Sequence, residues 1–176
     1  NAKPDQLQYG TGGAGTTGHI AGEMFAAASG IKVTHIPYKG SGPAVQAVLG
    51  GEIAFTFSTT AAVIPLLDSG RLRALAVTTA ERVAGLDVPT IAAAGYPKFE
   101  IVLYSGILGP AGLPAAITNK LSGEIARALA TPEIKQTYAR LGAMPYTTTP
   151  EKFAASLNSE IVRLGAVVRA SGAELQ

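Results

Sequence analysis

The chain has 176 residues, 47% of them hydrophobic and 15% charged, and its 14 basic and 12 acidic side chains leave a formal charge of +2. That apolar fraction excludes a disordered chain, and scattered basic residues do not make the clustered face that nucleic acid requires. No Cys and two His exclude disulfide frameworks, Cys-based zinc and iron–sulfur sites and thiol nucleophiles, and leave little for a catalytic triad or metal centre.

The absence of Cys leaves cytosol and periplasm both open. The polar start Asn1–Gln6 carries no apolar signal-peptide run, and a start without Met suggests a processed or excised end. No segment approaches the ~18 consecutive apolar residues of a membrane span.

In chain order, Leu7 to Tyr9 reads as a short strand running into Gly10-Thr11-Gly12-Gly13-Ala14-Gly15. A helix is predicted from about Thr16 to Ser29, stopped by Gly30. Lys32 to Tyr38 is the next strand, followed by a helix with Ser41 as its N-cap, Pro43 in its first turn and Gly50-Gly51 at its end. Ile53 to Phe57 is a third strand and Thr60 to Asp68 a third helix, with Pro65 inside it and Gly70 after it. Leu72 to Thr78 and Phe99 to Leu108 read as further strands, with a Gly- and Pro-rich loop from Ala80 to Pro97 between them.

Three helices follow. The first carries Ile117, Leu121, Ile125 and Leu129 at four-residue spacing, the second is capped by Thr131-Pro132 and ended by Gly142, and the third starts at Thr149-Pro150-Glu151. The expected fold is therefore α/β, with a largely parallel sheet flanked by helices. Residues 7–98 form a βαβαβαβ lobe, and 99–176 form one strand plus helices that need another surface for their apolar stripes.

The candidate site is the loop Thr11, Gly12, Gly13, Ala14, Gly15, Thr16 and Thr17. It joins a strand to a helix, so backbone N–H groups and a helix dipole converge on one point, which favours an anion. Five glycines in nine residues (Gly10, Gly12, Gly13, Gly15, Gly18) exceed the need of one turn, and the threonines add hydroxyl donors. Tyr38, Lys39 and Gly40, and then Ser58 and Thr59, form two further strand-to-helix loops that a parallel sheet places along the same edge.

Gly10-x-Gly12-x-x-Gly15 also satisfies the dinucleotide fingerprint, yet the second strand ends in Pro37-Tyr38-Lys39 without the acidic residue that holds a ribose. A Rossmann-type oxidoreductase using a phosphorylated nucleotide thus stays as an alternative. His19 and His35 read as structural: no Gly-x-Ser-x-Gly elbow occurs, and Glu23, the nearest acid, lies one turn beyond His19. No catalytic residue, metal ligand or cofactor is expected, and the residues describe a binder of anions.

Several blocks together resemble one family. They are Tyr9 with Gly13-Ala14-Gly15-Thr16-Thr17 and His19, His35-Ile36-Pro37-Tyr38-Lys39-Gly40-Ser41-Gly42-Pro43-Ala44, Leu49-Gly50-Gly51-Glu52-Ile53, Gly70 to Thr78, Val88-Pro89-Thr90 and Gly109-Pro110-Ala111-Gly112. The chain closely resembles the Bug family, the solute receptors of tripartite tricarboxylate transporters in bacterial periplasms.

The resemblance implies a two-lobed, periplasmic-binding-protein-like fold (type II, Venus flytrap) that closes on a small carboxylate without catalysis. It implies transporter membrane subunits as partners and a periplasmic location; a carboxylate-sensing domain is the other non-enzymatic alternative. Residues 7–98 would be the second ligand-binding lobe, with its grip on Thr11 to Thr17. Residues 99–176 would return to a first lobe built largely by a preceding segment, with dimerisation or domain exchange through exposed helices as a consequence.

Ser58-Thr59 stands where many members have Asp-Asn, which removes an acidic group and favours a dianionic or neutral-tailed acid over an amino acid. Tyr104-Ser105 stands where relatives often carry Trp-Phe, so the family's cleft-floor contacts do not carry over there.

Overall fold

The central strand, β1 (Leu7–Thr11), is buried over Tyr9, Gly10 and Thr11, although side chains along a strand point alternately to opposite faces. Both faces of the sheet are therefore covered at this point. The structure, a computed structural model, describes residues 7–171; Asn1–Gln6 and residues 172–176 lie outside the described residues.

Strand β2 (Val33–Pro37) and strand β3 (Phe55–Thr56) pair in parallel on either side of β1, giving the order β2-β1-β3. Tyr9 stands opposite His35 on one side and Phe55 on the other. Each parallel step needs a crossover, and helices α1 (Thr17–Ser29) and α2 (Ser41–Leu49) supply the two, with α3 (Thr60–Asp68) following β3.

Glycine lets two of these helices approach closely. A Cβ on Gly22 of α1 would fall 2.1 Å from the Tyr9 ring, and one on Gly10 would fall 2.4 Å from Ile53 and 3.4 Å from Ala44 of α2. Tyr9 and Gly10 face opposite ways, so α1 and α2 flank opposite faces of the sheet. The core is Tyr9, Ala21, Ala44, Val45, Ala47, Ile53, Ile91, Phe99 and Ile101.

The helix ends follow the glycine signals. Gly30 closes α1 in the left-handed region at φ 69° and donates to Ala26 O. The start of α2 differs from expectation: Ser41 is its first residue, and Gly40 occupies the cap at φ 106° without a side-chain cap bond. The cause is the Gly40 N–H, which donates to Gly12 O at 3.0 Å and fixes the turn before Ser41.

Two predicted strands do not form. Across Leu72 to Thr78 the structure has one isolated parallel bridge, Val77 with Thr90, and from Phe99 to Leu108 no strand. Pairing here rests on single bonds, such as Ile101 N–H to Thr78 O at 3.0 Å, and Leu75, Ile107 and Leu108 are all more than two-thirds exposed. β-branched composition stabilises a strand only where a pleated neighbour covers it. The first lobe-like unit is consequently three-stranded among the described residues, not the expected four.

The chain divides into two units: residues up to Leu103 together with those from Ala166, and Tyr104–Gly165. The second unit holds α4 (Ala115–Ala130), α5 (Pro132–Arg140) and most of α6 (Pro150–Ser171). Thr131 is the N-cap of α5 and Pro132 opens the helix, as expected, but the Thr131 hydroxyl donates back to Ala128 O at 2.8 Å at the end of α4 and makes no cap bond to α5. On α4, Ile117 and Leu121 are about half exposed, as are Leu141 after α5 and Ile161 on α6.

Gly22→Ala is expected to lower stability by about 1–3 kcal/mol through overpacking against Tyr9, despite the better helix propensity of Ala. Gly123→Ala in α4, where a Cβ meets nothing within 4 Å, is expected to raise it by up to about 1 kcal/mol. Urea titration of both variants checks the pair.

Candidate functional site

Parallel pairing sends the carboxyl ends of β1, β2 and β3 to one edge of the sheet, so the loops 12–16, 38–40 and 57–59 meet there. The order β2-β1-β3 reverses direction between β1 and β3, and an open parallel sheet leaves a crevice at that reversal. Each loop opens a helix, and none of the three helices has an acidic residue in its first turn. Three positive dipole ends therefore stand at this edge with no acidic residue in their first turns, beside the exposed Lys39.

The sheet ladder continues into the first two loops: Tyr38 N–H donates to Thr11 O and Gly40 N–H to Gly12 O, both at 3.0 Å. Gly12 is pressed against this neighbour, since a Cβ there would lie 3.2 Å from Ser41 N. On the other side a Cβ on Gly18 would lie 2.6 Å from Phe57 O, so the first turn of α1 abuts the loop after β3. All three predicted loops are thus in contact through their backbones.

Within the first loop, Thr16 folds back on Gly13, its hydroxyl donating to Gly13 O at 2.7 Å, and it accepts from His19 N–H at 3.5 Å as the cap of α1. Ala14 is exposed, and the N–H groups of Ala14, Thr17 and Gly18 find no acceptor among the described residues. Ser58 Oγ is buried and likewise has no hydrogen-bond partner among the described residues. Thr59 is exposed and precedes α3 without a side-chain cap bond.

Thr11 departs from the expected role of its hydroxyl. The residue is 0% exposed, and its Oγ1 lies beneath the loop, 2.6 Å from His35 Nε2, accepting from Gly13 N–H at 3.2 Å. Alternation explains it: Thr11 shares the face of Tyr9, which points into the sheet–helix interface.

The histidines stand in the same layer. His19 and His35 stack with ring centroids 3.9 Å apart at 13°, and Gly15 N–H donates to His19 Nδ1 at 3.1 Å. His19 Nε2 is 3.7 Å from Glu23 Oε1, which accepts the Tyr9 hydroxyl at 2.8 Å. Burial first, and then the Glu23 carboxylate, raise the Tyr9 phenol well above its ordinary range, so it stays protonated. Burial first, and then the His19 ring beside it, lower His35 to about 4, against the opposing pull of Glu23.

Residue reading alone did not join Tyr9 and Glu23 to the site. The signals were the i, i+4 spacing of His19 and Glu23 on one helix and the i, i+2 spacing of Tyr9 and Thr11 on one strand. Neither histidine is placed as a general base. His19 has one nitrogen on the Gly15 amide and the other toward Glu23, and the hydroxyl beside His35 is fully buried.

Among the described residues no three His, Asp or Glu side chains gather as a metal site, and no helix is long and apolar enough to cross a membrane. An open depression of about 650 Å³ lies on the α2 side of Tyr38, lined by Gly42, Pro43, Gln46, Ala47 and Glu52.

The family model of the tripartite tricarboxylate transporter family receptor matches residues 1–173. The chain belongs to that family. It is 35% identical over 176 residues to Protein BugT of Bordetella pertussis, covering 99% of this chain and 54% of that protein. It is 32% identical to the UPF0065 protein in the clcB-clcD intergenic region of Pseudomonas knackmussii, covering 89% of this chain and 94% of that protein.

Among solved structures, R. palustris Rpa4515 with adipate matches at TM-score 0.88 and 34% identity, covering 97% of this chain and 57% of that one. MatC (Rpa3494) from Rhodopseudomonas palustris with bound malate matches at TM-score 0.77 and 28% identity, covering 92% and 56%. The fold is that of the periplasmic binding proteins of this family, and the resemblance read from the sequence holds. The chain spans about half the length of BugT and of both solved structures.

A neutral, partly buried His35 ties stability to pH. Its folded pKa of about 4 lies below the ordinary value of 6.5, so the unfolded chain binds more protons between them. The contribution is complete above about pH 6.5 and is lost as pH falls toward about 4. Thermal midpoints measured from pH 7 to pH 4 should fall less steeply in His35→Gln than in the wild type.

Proposed function

We propose that this chain is the carboxylate-binding part of a periplasmic solute receptor, working with the membrane subunits of a tripartite tricarboxylate transporter and catalysing nothing. The observation that carries the reading is the sheet edge itself: three helix N-termini without a first-turn acid, and the unpaired N–H groups of Ala14, Thr17 and Gly18 beside the buried Ser58 hydroxyl. Amides and hydroxyls at a helix start bind a carboxylate without needing a cation. Adipate and malate in the two solved relatives supply the ligand class.

In this reading Gly12 to Thr17 grip one carboxylate, while Tyr38, Lys39, Gly40, Ser58 and Thr59 line the rest of the cleft. The Thr11 hydroxyl serves from beneath, as part of the support for the loop. Residues 7–98 act as a ligand-binding lobe, residues 99–176 return to another lobe, and capture proceeds by closure over the acid. The half-exposed Ile117, Leu121 and Ile161 belong to faces that a further lobe or a second copy covers. Ser58-Thr59 supplies hydroxyls in place of acid, so a second carboxylate or a neutral tail is tolerated and an ammonium group is not favoured.

Calorimetry of the full chain with adipate, malate, succinate and aspartate tests this. Succinate is expected to bind more tightly than aspartate; the reverse order removes the selectivity argument, and stabilisation by NADP(H) with no response to any acid removes the receptor reading in favour of a nucleotide site. Ser58→Ala separates function from stability. Removing an unsatisfied buried hydroxyl should leave the thermal midpoint unchanged or higher, while losing a hydrogen bond to the acid should weaken adipate about fivefold.

A further inference from the structure

Beneath the glycine loop lies a layer of polar side chains that the binding reading leaves without a task. It comprises Tyr9 and Thr11 from β1, His35 from β2, and His19 and Glu23 from α1. Tyr9 and Thr11 are 0% exposed and His19 is 7% exposed. Tyr9, Thr11 and His19 are buried and His35 and Glu23 partly so, which is costly unless each is hydrogen-bonded, and two of the bonds run upward into the loop backbone.

Two bonds meet the loop at separate points. Gly15 N–H donates to His19 Nδ1 at 3.1 Å, and Gly13 N–H donates to Thr11 Oγ1, which is 2.6 Å from His35 Nε2. An N–H that donates to Nδ1 requires a lone pair there, so the proton of the neutral ring sits on Nε2, the nitrogen facing Glu23. Tyr9 donates to the same Glu23 oxygen at 2.8 Å and holds that carboxylate in place. Parallel stacking on His35 fixes the plane of the His19 ring.

This arrangement decides which amides a ligand meets. With Gly13 and Gly15 N–H turned down into the layer and Thr16 N–H on Gly13 O, the loop amides without an acceptor among the described residues are those of Gly12, Ala14, Thr17 and Gly18. We propose that His19, with its tautomer fixed by Glu23 and Tyr9 and its plane by His35, is the positioning residue of the anion-binding loop. It takes the Gly15 amide out of the ligand's reach and so aims the remaining N–H groups at one carboxylate. The bracing of the loop stands on these contacts alone; the effect on affinity rests on the carboxylate reading above.

The test uses the full chain and two conservative steps. In His19→Ala the Nδ1 acceptor is lost, whereas in His19→Asn the amide oxygen falls close to the position of Nδ1. Without any acid present, nitrogen-15 NMR of the wild type should show His19 protonated on Nε2 and bare at Nδ1. Hydrogen exchange at Gly15 N–H should quicken about tenfold or more in His19→Ala and return toward the wild-type rate in His19→Asn. A proton on Nδ1, or a Gly15 exchange rate indifferent to the loss of His19, overturns the proposal. Should His19→Ala fail to fold, the wild-type spectrum and His19→Asn decide it.

Adipate calorimetry then reads the consequence: affinity is expected to fall about tenfold in His19→Ala and to recover to within about threefold in His19→Asn. Equal affinity in all three proteins overturns the positioning role. A wild type that takes up none of adipate, malate or succinate defeats the carboxylate reading, and the NMR and exchange results still decide the brace.

Discussion

The Tyr9 ring holds the sheet, the first helix and the loop layer in one geometry. It fills the space that Gly22 leaves on α1, stacks on Phe55 at 5.8 Å and lies 5.1 Å from the His35 ring. Its hydroxyl meanwhile reaches Glu23. The same side chain is thus an apolar spacer at its body and a hydrogen-bond donor at its tip, a combination available to Tyr and not to Phe. With Tyr9 in place, the α1 axis lies close enough to β1 for His19 to pass under the loop and meet the Gly15 amide. A larger residue at Gly22 would move the helix, and the distances above it would change with it.

This constraint alters what the glycine excess means. Read along the chain, five glycines in nine residues suggest a backbone bared to a ligand. In the structure their tasks divide. Gly10 and Gly18 are packing glycines, pressed against Ile53 and against Phe57 O. Gly15, at φ 73°, turns its amide down onto His19. The density of glycine at this edge is therefore as much the cost of bringing three loops and two helices together as a direct provision for the anion. Both uses follow from the missing Cβ, and a linear sequence does not separate them.

Much of the architecture was legible because it rests on local signals. Helix α3 falls on the expected Thr60–Asp68, and Gly30 and Gly142 take the left-handed conformation that ends a helix. The strands at 72–78 and 99–108 were misread because their β-branched composition says nothing about whether a partner lies alongside. Thr131 takes the expected cap position of α5, but its one hydroxyl stands between two helix ends and bonds the end of α4. At the candidate site, the three loops and their common edge were visible from strand-to-helix order. The layer beneath them was not, since Tyr9 meets His35 only through the β1–β2 register, a pairing between residues far apart in sequence.

The chemistry of that layer bears on how an anion is held. A charged residue placed under the loop would attract a carboxylate at long range and would act alike on any anion. The layer has instead a His35 whose pKa lies well below neutral pH and a Tyr9 whose pKa lies well above it, so both are uncharged there, and its carboxylate, Glu23, is engaged by Tyr9 and faces His19. The remaining attraction comes from oriented N–H groups and helix ends, whose field falls off within about one turn and depends on direction. Lys39 is the lone basic side chain in the three loops and is exposed, where solvent screens it. Recognition by direction more than by charge discriminates between acids by shape. For the proposed carboxylate ligand it would also leave no full ion pair to break on release, as reversible capture requires.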